Sequence, residues 1–282
     1  MNQSQRKTFF RQFSKQYEKQ IRISERVSYR IAQRIYLDAF IEGSKLYMSD
    51  RSFNALDLVD VLKFRKLYID IYRDTRLRFA KWYRRMFERV ATKLSDPTYD
   101  LWDAIFTQYG ETQAGRLVTT VNETMKESFL SKISRQFADP EFASLGAKQQ
   151  AAILYSDKFW VKQSRWMALR VARTENNTAA NLAIKEASLS LFPADQLMKV
   201  WDTSEDERVR DTHVIAGRQD PIGLNDWYNV GAVRMRWPND PEAIGMSKEV
   251  ARERINCRCH MVSVPKEEVF DDLYDQIALM NR

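Results

Sequence analysis

The architecture of this chain is indicated most clearly by residues 6–35, RKTFFRQFSKQYEKQIRISERVSYRIAQRI. This segment contains neither proline nor glycine. Its apolar residues recur mostly at every fourth position, as one face of an α-helix requires. The segment therefore predicts a long helix with one buried face, formed by Phe9, Phe13, Tyr17, Ile21, Val27, Ile31 and Ile35.

The residues that follow have a similar composition. No proline precedes Pro97, and Gly43 is the single glycine before it. Apolar residues from Leu56 to Leu94 repeat in a similar rhythm, and further helices are predicted over 99–135 and 145–190. Four or more helices would bury their apolar faces most economically by packing together, so we predict long N-terminal helices in a bundle-like arrangement.

From about Pro193 short apolar runs alternate with turn residues. Five of the seven prolines and four of the eight glycines lie from this residue onward. The runs Leu197–Trp201 and Cys259–Val264 predict short strands, and a closing helix is predicted over Glu267–Met280. The predicted fold class is therefore mainly α, with a compact C-terminal α+β module.

This pattern divides the chain into a helical region, residues 1–190, and a mixed domain, residues 191–282. The charges are also unevenly distributed. Residues 1–100 hold 22 Lys and Arg against 12 Asp and Glu, whereas residues 201–282 hold 11 against 16. A basic first part and an acidic last part indicate two surfaces with different partners.

Composition excludes several classes of protein. With 44% hydrophobic residues the chain can bury a core, so wholesale disorder is excluded. No segment approaches the roughly 18 apolar residues of a membrane span, and the N-terminus has no apolar region typical of a secretory signal. Two cysteines in 33.3 kDa are too few for a disulfide framework and fit synthesis in a reducing cytoplasm.

A series of basic residues follows the first predicted helix at steps of three and four. All eight side chains should lie within about half of the helix circumference. Such a stripe could contact a nucleic-acid phosphate backbone or an acidic protein surface, and a solvated helix face is the alternative. We call it the basic stripe; its members are Lys7, Arg11, Lys15, Lys19, Arg22, Arg26, Arg30 and Arg34.

All histidines and cysteines of the chain lie in its last part, within the predicted mixed domain. They are His213, Cys257, Cys259 and His260. Two thiolates and two imidazoles would satisfy a tetrahedral zinc site, which predicts a possible structural zinc. The alternative is two small buried cysteines with packed histidines. On a strand, Cys257 and Cys259 share a face while His260 points the other way.

A cluster of acidic residues precedes His213. Together with the histidine it could hold a divalent metal in a nuclease, which is the alternative to a non-enzymatic role. The cluster is also typical of a helix start, with Thr203 or Ser204 as the cap. Its members are Asp202, Glu205, Asp206, Glu207 and Asp211.

Several short motifs follow one another in the last part of the chain. They begin with Arg173-Thr174-Glu175; read alone, this segment and the residues after it are a helix surface with small residues that permit close packing. They continue with W-x-T at Trp201, with D-x-R-V-R-x-x-H and with N-C-R-C. The residues that carry this pattern are Arg173, Glu175, Trp201, Asp206, Arg210, His213, Gly217, the Trp237–Pro241 loop, Cys257, Arg258 and Cys259.

In this order the motifs resemble the phage head morphogenesis family, the Mu protein F-like minor head proteins. The resemblance covers about residues 165–265. It implies a structural, non-enzymatic minor head protein of a tailed phage, bound near the portal vertex inside the procapsid and packaged with the DNA. The partner it implies is the portal protein, with capsid or scaffolding protein and the packaged double-stranded DNA as further candidates and no membrane. The family often has proline and histidine just before N-C-R-C, where this chain has Arg254-Ile255.

Overall fold

A computed structural model of the chain describes residues 3–50, 60–87 and 99–266. Up to residue 191 these residues are helical apart from short connections, which confirms the predicted helical first part. None of the described helices is both long and apolar enough to span a membrane. The helices are α1 (Gln3–Asp50), α2 (Val61–Phe87), α3 (Tyr99–Phe137), α4 (Pro140–Ala143), α5 (Ala147–Leu154) and α6 (Asp157–Leu191).

The mixed module begins with β1 (Leu197–Asp202), close to the predicted start, and β5 (His260–Pro265) is its last described strand. The fold-class prediction is thus confirmed, and the two predicted strands are β1 and β5. The helix predicted over Glu267–Met280 lies outside the described residues. The elements between the two strands are α7 (Asp211–Gly217), β2 (Ile222–Gly223), β3 (Tyr228–Val230), β4 (Val233–Met235) and α8 (Ser247–Arg254).

The strands form two small antiparallel sheets. β1 is the central strand of the order β2-β1-β5, and it pairs with β5 from Leu197 opposite Pro265 to Asp202 opposite His260. β3 and β4 form a separate hairpin that turns at Gly231, whose φ of 59° is in the left-handed region that favours glycine. The long β1–β5 pairing places His260 at one end of the central sheet.

The chain divides into two compact units, and each is composed of segments that are separate in the sequence. Unit 1 comprises Met1–Glu25, Tyr72–Phe106 and Arg173–Arg282, and unit 2 comprises Arg26–Ile71 and Thr107–Ala172. Unit 1 therefore combines the α+β module with parts of the long helices.

Unit 2 has a largely aromatic and aliphatic core of its own. Trp160 is fully buried and stacks against Phe40 and Phe129, with ring centroids 4.8 and 5.2 Å away. Its indole N–H donates to the Ser44 hydroxyl and to the Leu154 carbonyl at 3.0 and 2.9 Å. These bonds satisfy the polar atom of a buried tryptophan.

The buried face of α1 differs from the prediction in its second half. Phe9, Phe13, Tyr17 and Ile21 are buried as expected, but Val27 and Ile31 are 53% and 44% exposed. Because the helix turns 100° per residue, the buried row continues from Ile21 in steps of three and four. Those steps lead to small residues instead, namely Ser24, Ser28 and Ala32.

Candidate metal centre and its supporting network

The centre of unit 1 is a polar segment of α6. Every residue from Thr174 to Ile184 is buried, so the expectation of an exposed surface at Thr174 and Glu175 is wrong, whereas the small residues that follow are closely packed as expected. A helix that is buried on all sides is ordinarily apolar all round. This one instead carries several hydrogen-bonding side chains that bind other segments of unit 1.

Asn177 on this segment holds the C-R-C residues in place. Its amide nitrogen donates to the carbonyls of Cys257 and Cys259, both at 2.9 Å. Its amide oxygen accepts from the Tyr17 hydroxyl and from the Asn181 amide. A primary amide has two N–H donors and one carbonyl acceptor, so the hydrogen-bonding capacity of Asn177 is fully used.

Asn181 and Thr178, further along the helix, bind the next segments. Asn181 donates to the Pro238 carbonyl at 2.9 Å and accepts from the Met261 amide at 2.8 Å. The Thr178 hydroxyl donates to the Asn239 carbonyl at 3.2 Å. The Trp237–Pro241 loop is buried throughout, and α6 supplies the donors that two of its carbonyls require.

His213 and the two cysteines converge, as the sequence predicts. The His213 Nδ1 atom lies 3.4 Å from the Sγ atoms of both Cys257 and Cys259. All three side chains are buried, and their ligand atoms lie within 4.8 Å of one another, so they could hold a metal ion. For a tetrahedral Zn²⁺ with usual bond lengths, the N···S edge would be about 3.6 Å.

Glu253, in the last turn of α8, orients the histidine. Its carboxylate lies 3.0 Å from His213 Nε2 and accepts from the Thr212 hydroxyl at 2.8 Å. The carboxylate thus lies on the Nε2 side of the ring, and the two sulfur atoms lie on the Nδ1 side. Metal-ligating histidines commonly have such a carboxylate partner.

The two thiols are electrostatically different. Burial raises the pKa of Cys257, whereas the Cys257 thiol and the neighbouring His213 stabilise a thiolate at Cys259 and lower its pKa to about 5. Of the two thiols, Cys259 is therefore the one that loses its proton more readily. A thiolate is the form that binds a metal.

His260, the fourth candidate ligand, is not part of this group. Its Nε2 atom lies 3.1 Å from the Asp202 carboxylate, and its ring stacks on Tyr17 at 4.2 Å. The same carboxylate accepts a hydrogen bond from Ser14. Burial alone would raise the pKa of Asp202, but His260 and Ser14 outweigh it and the pKa is lowered. His260 is the first residue of β5, whereas both cysteines precede that strand, so strand alternation does not account for the different surroundings of His260.

The acidic cluster does not cap a helix through Thr203 or Ser204. The next helix, α7, begins only at Asp211, and its N-cap is Arg210, which makes no side-chain capping bond. Asp206 instead accepts from Arg258 at 2.7 Å. The Asp202 carboxylate lies beside His260. The acidic cluster therefore does not place several carboxylates around His213.

The remaining motif side chains also act within unit 1. The Arg210 guanidinium donates to the Ile255 carbonyl at 2.6 Å, which connects the start of α7 to the end of α8. Glu175 accepts from the Tyr72 hydroxyl at 2.7 Å. Burial raises the pKa of Glu25, and the charge of Arg173 partly offsets this rise. The Trp201 ring packs edge-on against His213, with centroids 5.2 Å apart.

The basic stripe lies on α1. From Arg11 to Arg34 all seven members are exposed, while the side chain of Lys7 is outside the described part of the structure. Arg22 pairs with Glu18 and Arg34 with Asp38, so part of the stripe is locally neutralised. Contact with nucleic acid or an acidic partner stays a prediction.

Sequence reasoning missed several residues of this network. Asn177 and Asn181 lie one helical turn apart, and such a pair on one face could have indicated a buried polar contact. Glu253 gave no comparable signal, because its partner His213 belongs to a different helix. Lys199 was also missed: it is fully buried in β1, and its ammonium donates to the carbonyls of Leu224 and Asp226 at 2.6 Å.

Comparison of the chain with family models, with curated proteins and with solved structures gives no match.

Proposed function

We propose that this protein is a structural minor head protein of a tailed phage, which binds the portal vertex inside the capsid and acts in head assembly and DNA packaging or delivery. The observation that carries the proposal is the burial of the motif residues. Trp201, His213, Cys257 and Cys259 are each at most 2% exposed, and their polar neighbours bind one another or the backbone. Side chains in such positions stabilise a fold and do not reach a macromolecular substrate.

The exposed surface supplies the second part of the proposal. Seven exposed basic residues along one helix offer a surface for an acidic portal face or for packaged DNA. In this proposal the motifs stabilise unit 1, while α1 supplies contacts to the partner.

Co-purification of the full chain with its cognate portal ring tests the proposal. We expect a stable complex that weakens when Arg22, Arg26 and Arg30 are changed to Glu. The matched control carries the same charge change at Lys148, Lys158 and Lys162, which are exposed on other helices. A clean absence of portal binding by the unaltered chain would contradict the proposal.

The competing function is a metal-dependent nuclease that uses His213 and the nearby acids. Incubation of the protein with DNA and Mg²⁺ or Mn²⁺ distinguishes the two. Cleavage that is lost on His213→Ala and kept in an Arg218→Ala control would replace our proposal.

We also propose that His213, Cys257 and Cys259 hold a structural zinc. The supporting features are the two 3.4 Å N···S distances, the stabilised thiolate and the carboxylate at the outer imidazole nitrogen. Three protein ligands leave one tetrahedral position for a small ligand such as water.

Elemental analysis of the purified protein tests the zinc proposal. We expect about one zinc per chain, and Cys257→Ser should lower both the metal content and the melting temperature, because binding energy contributes to folding. Zinc-free protein whose melting temperature does not change on adding zinc or a chelator would refute it. Cys257→Ser would then cost only the roughly 1–3 kcal/mol of an ordinary core substitution.

A further inference from the structure

An open groove runs between the first part of α1 and the second part of α2 in unit 1. Residues 9–20 of α1 form one wall and residues 74–86 of α2 form the other. It has two adjoining sections of about 410 and 500 Å³, which share Trp82 and Arg85. We call it the α1–α2 groove.

The groove is strongly basic. Lys15 lines it from α1, and Arg78, Lys81 and Arg85 line it from α2. Asp74 is the single acidic residue among the described residues that line the groove, and it pairs with Arg73 at 3.0 Å. Lys15, Arg78 and Arg85 are exposed, so their charges are available to a ligand in the groove.

Trp82 forms an aromatic platform where the two sections meet. Its ring is held by Phe13 and Phe79, with centroids 4.9 and 5.7 Å away, and by Tyr17 at 6.5 Å. The side chain is only partly buried and lines both sections. Its indole ring is therefore held in position by these neighbours and borders the groove.

A row of amides completes the groove. Gln12, Gln16 and Gln20 succeed one another at four-residue spacing along α1, and each lines the groove. Side-chain amides both donate and accept, so they can bind base edges of any sequence. Cationic groups, a fixed aromatic ring and adaptable amides are the combination with which proteins bind single strands.

We propose that the α1–α2 groove binds single-stranded nucleic acid, with phosphates at Lys15, Arg78 and Arg85 and one base stacked on Trp82. A duplex keeps its bases stacked inside, so it could place only phosphates on the rim of the groove. An acidic peptide would use the cations but would gain nothing from base stacking. The inference does not depend on portal binding, since it concerns an interaction of the chain alone.

Fluorescence anisotropy with a labelled oligothymidylate and the full chain tests this proposal. We expect binding whose salt dependence has a slope of about two, from three phosphate contacts at roughly 0.7 each. Arg78→Ala with Arg85→Ala should weaken binding at least tenfold and reduce this slope by more than half. A control with Lys158→Ala and Lys162→Ala, exposed residues of α6, should bind as the unaltered chain does.

Trp82→Phe tests the stacking step separately, since phenylalanine keeps an aromatic side chain among Phe13, Tyr17 and Phe79. It should weaken oligothymidylate binding by about three- to tenfold with the salt slope unchanged, and the matched Trp166→Phe change at an exposed site should have no effect. Equal affinity for duplex and single strand, or affinity unaffected by Trp82→Phe, would overturn the proposal. Competition by an acidic peptide that equals competition by unlabelled strand would also overturn it. Normal portal binding by the groove variants would separate this result from the proposed head function.

Discussion

Replacing Asn177 by alanine is the most direct test of the network that supports the metal centre. The change leaves the buried Cys259 carbonyl without the donor that it has at 2.9 Å, whereas the Cys257 carbonyl keeps a donor, the Asn239 amide at 3.3 Å. It also removes the acceptor of the Tyr17 hydroxyl. A buried polar group that loses its partner costs roughly 1–3 kcal/mol, so two such groups predict a loss of at least about 2 kcal/mol in the free energy of unfolding.

Urea denaturation followed by tryptophan fluorescence would measure this loss, and hydrogen exchange of peptides covering residues 255–265 would locate it. Exchange there should accelerate by about thirtyfold or more, because the C-R-C segment loses its two hydrogen bonds from Asn177 of α6. The control is Asn225→Ala at an exposed position, which should change stability by less than about 0.5 kcal/mol. A loss below about 1 kcal/mol for Asn177→Ala, the lower limit for a single unpaired group, or unchanged exchange in this peptide, would refute the reasoning.

Tyr17→Phe provides a second test of the same contacts. It removes the hydroxyl that donates a hydrogen bond to Asn177, and it keeps the ring that stacks on His260 at 4.2 Å. If the hydroxyl and the amide depend on each other, the double variant should cost less than the sum of the two single variants. Strict additivity would show that the two side chains act independently.

Two further predictions concern charged residues in unit 1. Burial lowers the pKa of Lys199 from 10.5 to about 7, so between these values the unfolded chain binds one more proton and the free energy of unfolding should rise with pH. Chemical denaturation across this range should show that slope, which Lys199→Met should remove and Lys248→Met, at an exposed site, should keep. Glu253→Gln should weaken zinc binding by about 10- to 100-fold in a chelator competition, while Glu249→Gln on the same helix should leave it unchanged. An unaltered slope or an unaltered zinc affinity would contradict the respective prediction.

The sequence predicted the regular elements well where local signals determine them. The absence of proline and glycine and the recurrence of apolar residues are properties of neighbouring residues, and they placed the helices up to Leu191 and the strands β1 and β5. The convergence of His213 with both cysteines was also predicted, because so few residues of these types exist in the chain.

The errors arose where a residue's environment depends on distant segments. Val27 and Ile31 are apolar yet exposed, while Ser24 and Ser28 are buried, because the row that continues from Ile21 in steps of three and four passes through the serines. The segment from Thr174 to Ile184 has no periodic apolar pattern because other segments surround it, so it was misread as a surface. Glu253 is defined by a partner on another helix, and no local pattern contains such a pairing.

The contacts of Ser14 and Tyr17 have a consequence for the order of folding during synthesis. Ser14 binds Asp202 and Tyr17 stacks on His260, so these side chains near the start of the chain meet partners that are translated late. Unit 2, in contrast, is complete once Ala172 has been made. Contacts so distant in sequence form slowly, since the intervening chain must lose much of its conformational freedom first. During synthesis, Phe13 and Tyr17 in the first part of α1 therefore lack their stacking partner His260. They acquire it only after β5 has been translated.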